Sequence, residues 1–237
     1  KYYEFIYNFK NEELDINDYF FKDINHLTRS TKRKIWIHVP VEKNSRKWSS
    51  FGSRSSNELN LDYIALCIKS IIDYCGQYYD VILFDDSNFN NLLPEQSVDY
   101  NKLSGELLEN YRHYSLLKIV YTYGGVLMPC SLFMRKSIYS IDKENTFYVC
   151  ELPNQGKHSS LGEFIYSTKL MGSNIKNPIL GDFINKYSER CLKDLTNECI
   201  HFSDQLLKKM DVPLLNGKII GTKTKDNKRI LLEDLME

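Results

Sequence analysis

The sequence predicts an α/β protein, a mostly parallel central sheet flanked by helices. Three observations predict it. Short β-branched runs alternate with stretches of helical periodicity, the runs are apolar throughout rather than alternating, and the connections are long enough for crossovers. KIWIHV (34–39), closed by Pro40, reads as a buried first strand. Leu61, Ile64, Ala65, Ile68, Ile71 and Ile72 form a helical stripe over 61–75 that Gly76 stops. YDVILFDD (79–86) is the second strand, with Asp85 and Asp86 at its carboxyl end.

A second helix is expected over 105–123, with Leu107, Leu108, Tyr111, Leu116, Ile119, Val120 and Tyr123 inward and Arg112 and His113 facing solvent. Gly124-Gly125 ends it, and VLMPCSLFM (126–134) is the third strand. FYVCEL (147–152) and FIYSTKLMGS (164–173) follow as strands, then Asn177-Pro178 as cap and first turn of a helix to about Asp194. The tail, KIIGTKT-DNK-RILLEDL, reads as a hairpin.

At 237 residues, 42% hydrophobic and 13% aromatic, the chain can bury a sizeable core, which excludes wholesale disorder. Residues 1–32 form an aromatic and then charged leader or tether, and 33–237 form a single domain. Lys plus Arg and Asp plus Glu both number 31, so the net charge of zero supports no general grip on nucleic acid. No run of about 18 apolar residues is present. The chain starts at Lys1 rather than Met, so an upstream segment is expected, and any membrane contact would run through it. Cys67, Cys75, Cys130, Cys150, Cys191 and Cys199 show neither a C-x-x-C pair nor metal-site spacing; they read as free buried thiols in a reducing compartment. One Ala against 20 Asn, 21 Ile and 17 Tyr points to an AT-rich genome.

Ligands of such sheets bind beyond the carboxyl ends of the strands. That rule selects His38 and Val39, Arg54 in the polar loop 42–60, Asp85 and Asp86, Pro129 to Ser131, and Glu151. Arg54 between serines suits a phosphate, and the Asp85-Asp86 pair suits a ribose hydroxyl or a cation. G-x-G-x-x-G, P-loop, G-x-S-x-G and H-E-x-x-H motifs are absent, which removes the usual support for hydride transfer, P-loop hydrolysis and zinc peptidase chemistry.

RHYSLLKIVYTYGGVLMPCS (112–131) resembles the central signature of glycosyltransferase family 32 and the capsular-polysaccharide sugar transferases, S-D-x-x-R-Y-x-x-L-Y-x-Y-G-G-x-Y-x-D-x-D. Tyr121, Tyr123, Gly124 and Gly125 match in register, and the resemblance spans about 33–190. It implies a GT-A, Rossmann-like fold, a UDP- or GDP-linked donor sugar, and a glycan or protein acceptor. Sequences of this style also resemble uncharacterised proteins of large DNA viruses. The signature's aspartate pair, which holds the divalent metal in that family, falls here on Pro129 and Ser131, with Cys130 between. No metal is expected there, since Pro has no side-chain ligand and Ser a poor one. Three expectations follow. Asp85 and Asp86 hold the cation; or transfer is metal-independent, with Arg54, Lys118 or His113 supplying positive charge; or catalysis has been lost and the fold serves a structural or virion-assembly role.

Overall fold

The computed structural model describes residues 16–39, 62–154, 163–193 and 198–230. Six strands form one sheet: β1 (Arg33–His38), β2 (Tyr79–Phe84), β3 (Gly125–Leu127), β4 (Phe147–Pro153), β5 (Phe164–Ser173) and β6 (Leu214–Leu215), in the order β2-β1-β3-β5-β4-β6. β1 pairs parallel with both β2 and β3, β4 pairs parallel with β6, and β5 runs antiparallel between β3 and β4. Every strand but β5 therefore points the same way. The mostly parallel sheet flanked by helices is the architecture that the apolar runs and crossovers predict.

Four longer helices, α1 (Asp62–Cys75), α2 (Gly105–Tyr123), α3 (Pro178–Cys191) and α4 (Cys199–Lys209), cover its two faces. The period-2 geometry of β1 sorts its side chains. Ile35, Ile37 and Val39 join Ile64, Ile68, Ile71 and Ile72 of α1 in one core. Trp36 joins Leu117, Ile119 and Val120 of α2 and Phe183 and Tyr187 of α3 in the other. At the upstream end of the described chain, Phe20 bridges to Leu83 and the Phe21 amide donates to the Leu83 carbonyl at 2.7 Å, which covers part of the outer edge of β2.

The Y-x-Y-G-G junction has a structural account. Gly124 at φ 66° donates to the Val120 carbonyl and stops α2. Gly125 sits at φ 105°, and a Cβ there would run into the Lys34 carbonyl of β1. Trp36 Nε1 donates to the Gly124 carbonyl at 2.8 Å. The Tyr123 hydroxyl donates to the Leu92 carbonyl at 2.8 Å, and the Tyr121 carbonyl accepts from the Lys176 amide at 2.7 Å.

Two expectations need correction. The third strand is three residues long rather than 126–134: Met128 donates the last ladder bond to Trp36, Pro129 has no N–H to continue it, and the chain turns, with Leu132 donating to the Pro129 carbonyl. Lys218 to Ile220 lie in a short helix, Gly217–Ile220, capped by the Asn216 side chain and ended by Gly221 at φ 79°, not in a strand. The hairpin turn itself exists downstream, at the Lys223–Arg229 bridge. Helix α4 is not announced by periodicity, because its apolar stripe is interrupted by buried Ser203 and Asp204; Asp204 accepts from the Tyr166 amide of β5 at 2.7 Å.

The glycine geometry has a measurable consequence. Gly105→Ala, at φ 57° with nothing within 4 Å, is expected to cost about 1 kcal/mol for the left-handed backbone alone. Gly125→Ala adds a backbone clash and is expected to cost about 3 kcal/mol or more. Urea denaturation of both variants checks this, and equal losses would remove the close β1–β3 approach as a constraint.

Candidate functional site

The carboxyl ends of β1, β2 and β3 gather part of the predicted set. His38, on the α2 face of β1, stacks on Phe89 at 5.2 Å and hydrogen-bonds Asp86 Oδ1 through Nε2 at 2.9 Å. An ionised carboxylate only accepts, so Nε2 carries the proton. Asp86 also accepts from Arg112: Nε lies 3.0 and 3.1 Å from the two carboxylate oxygens and Nη2 2.5 Å from Oδ2. Arg112 Nη1 in turn donates to Glu109 at 2.6 Å. Burial pushes the Asp86 carboxyl up, but the hydrogen bonds from His38 and Arg112 outweigh it and hold the group down at about 2.

The remaining predicted residues are placed otherwise. Val39 is fully buried against α1 and offers the site only backbone, its amide donating to the Phe84 carbonyl at 2.8 Å. Asp85 caps the turn Asp86–Asn88, accepting from the Ser87 amide at 2.8 Å while its own amide donates to the Asn88 side chain. Arg54 lies outside the described residues. Glu151 is bound by the Gly217 amide at 2.8 Å and Lys223 Nζ at 2.6 Å, a structural closure at the top of β4. Lys118 pairs with Glu95 at 3.5 Å.

Arg112 and His113 do not face solvent. Arg112 turns to the strand ends. His113 turns to β5 and α3, with Nε2 2.8 Å from Thr168 Oγ1 and its ring 5.3 Å from that of Tyr187. Burial, aided by the charge of Lys169, lowers His113 to about 4, so it is neutral near pH 7 and supplies no positive charge. Helical spacing carries the signal for both. Arg112 shares a stripe with buried Ser115 and Ile119, and His113 shares one with buried Leu117 and Val120.

Residues 129–131 do not fit a divalent metal. Pro129 has no donor, Cys130 and Ser131 bring no carboxylate, and among the described residues no three His, Cys, Asp or Glu converge on a metal position. Asp86 is no substitute, because two cationic or proton-bearing partners already occupy its oxygens.

Two pH windows follow. The folded value of His113 lies below its ordinary 6.5, so it disfavours the folded state once the unfolded chain takes up the proton. Stability is expected to fall by up to about 3 kcal/mol from pH 6.5 to 4, and His113→Gln is expected to flatten that limb. Asp86 is depressed, so its contribution is complete above about pH 4 and is lost toward pH 2. About 1–2 kcal/mol is expected, discounted for partial exposure, and the loss is absent in Asp86→Asn. Denaturation midpoints across pH 2–7 for the three proteins test both.

No family model matches the chain, and no curated protein matches it. Among solved structures, the chain is similar to PaToxG glycosyltransferase at 13% identity and a TM-score of 0.43, over 75% of this chain and 69% of that one. It is similar to 4-diphosphocytidyl-2C-methyl-D-erythritol synthase from Anaerococcus prevotii DSM 20548 at 12% identity and a TM-score of 0.39, over 86% and 95% of the two chains.

Proposed function

We propose that the chain is a glycosyltransferase-like protein that binds a UDP- or GDP-linked sugar at the carboxyl ends of β1 and β3, and transfers glycosyl without a metal on residues 129–131. One observation carries the reading. β1 connects onward to β2 on one side while β3 connects onward to the β5-β4 side, so the strand order reverses between neighbours, the position at which ligands of such sheets bind. A fixed imidazole, His38, and a fixed guanidinium, Arg112, stand at that reversal, both oriented by Asp86. In this reading His38 and Asp86 face the nucleoside, with the backbone of Val39 and the capping Asp85 beside them. Arg112, together with Arg54 from the segment after β1, faces the phosphates. The resemblance of 112–131 to the family 32 signature agrees in kind of ligand.

A second reading, a non-catalytic protein of the same fold with a structural or virion-assembly role and protein partners, is favoured by a specific observation. Asp86, Arg112, Glu151 and Lys223 are each paired within the protein. No helix among the described residues is long and apolar enough to cross a membrane.

Calorimetry with UDP, GDP and their sugars in the presence of EDTA, coupled to detection of released nucleotide, decides between the two. The transferase reading expects binding and turnover, with Arg54→Ala weakening binding by about 1.5–3 kcal/mol, the range for a charged hydrogen bond. Absence of binding by any nucleotide sugar overturns it. Binding without turnover favours the second reading.

A further inference from the structure

The β3–β5 ladder ends well before β5 does. β3 pairs with β5 only up to Leu127 against Met171. On its other side β5 pairs with β4 at Met171–Val149 and next at Ser167–Cys150. Thr168, Lys169 and Leu170 therefore have no ladder partner on either strand. Irregularities of this kind re-aim side chains beside functional sites. Lys169 lies two residues from Met171 on the side of the sheet where β3 has already ended at Leu127, the side of the strand carboxyl ends.

The three residues are sorted by their surroundings. Leu170 is 2% exposed in the α1-side core, and Thr168, also 2% exposed, is tied to His113 of α2. Lys169 between them is exposed, its amide held by Ser167 Oγ at 3.2 Å. Its charge reaches inward, since it helps to lower His113 and also lowers the Cys150 thiol against the larger upward push of burial. Arg112, Lys118 and Lys223 are each neutralised by Asp86 and Glu109, by Glu95 and by Glu151. Lys169 meets no carboxylate among the described residues. A cation without a carboxylate partner, set by its own backbone at the strand ends, suits an incoming polyanion.

We propose that Lys169, presented by the unpaired Thr168–Leu170 segment of β5, is a further diphosphate-binding cation at the carboxyl ends of the strands, in addition to Arg112 and Arg54; this rests on the nucleotide-sugar reading above. The contact is with the diphosphate and not with the nucleoside, because β5 lies beyond β3 in the sheet, on the side away from His38 and Asp86.

The test is calorimetry in EDTA with UDP, UMP and inorganic pyrophosphate on the wild type, Lys169→Ala and Lys169→Arg. Lys169→Ala is expected to weaken UDP and pyrophosphate by about ten-fold or more and UMP by less than about three-fold, with Lys169→Arg recovering most of the loss. An unchanged melting temperature in both variants separates this from misfolding, since an exposed lysine holds no core contact. If wild type and Lys169→Ala bind UDP equally, the assignment of Lys169 falls while the nucleotide-sugar reading stands. If pyrophosphate binds in a Lys169-dependent way and no nucleotide does, the anion site stands and the nucleotide reading falls. If the wild type binds none of the three, both fall.

Discussion

The approach of the Gly125 backbone to the Lys34 carbonyl is the contact on which the rest of the architecture turns. It brings β3 beside β1 and lets Trp36 donate to Gly124. That anchors the lower end of α2, and a helix is stiff. Arg112 lies eleven residues before Tyr123, about 16 Å up the axis, where it reaches Asp86 at the other end of the sheet. The tyrosines of the junction then fix neighbours in place, Tyr123 holding the Leu92 carbonyl and Tyr121 lying against Gly181 of α3. The most specific part of the resemblance is thus scaffold, whereas the charged cluster of Arg112 and Asp86 sits two to three turns upstream.

The opposite end of the sheet is closed by a buried acid. Asp142, 3% exposed, accepts from the Tyr79 hydroxyl at 2.8 Å and the Tyr148 hydroxyl at 3.2 Å and is ion-paired to Arg33 at 2.7 Å. Burial and the neighbouring Asp142 push the Tyr79 phenol far up, so it stays a donor at any physiological pH. Arg33 also donates to Asn174 and the Ser173 carbonyl, joining β1 to the end of β5. A buried charge is tolerable when its lone pairs are filled this completely. The sheet is fastened at its amino-terminal end and left with charged, partly exposed groups at the other.

Much of the fold was legible because it rests on periodicity. The apolar runs of β1, β2, β4 and β5 and the stripe of α1 fall within a few residues of their predicted places, and Asn177-Pro178 starts α3 as expected. What periodicity misses is partnership. His38 and Asp86 are 48 positions apart, and their hydrogen bond exists only once β1 and β2 pair. Arg112 read as solvent-facing because a helix of mixed surface, with buried Asn110 and Ser115 among apolar residues, has no clean polar side. Ser115 is satisfied by Tyr100 and Gln96, which no local pattern announces. Asp85, by contrast, does what a loop-capping acid does.

The brevity of β3 also has a mechanical side. It joins β2-β1 to β5-β4-β6 through two residue pairs on one edge and three on the other, while β1 and β2 share six pairs. The middle of the sheet is therefore its narrowest seam, and a tensile or torsional load would concentrate there before reaching the broader pairings outside it. The two half-sheets meet at this short spine, and a molecule lodged between the ends of β1 and β3 would brace it from above.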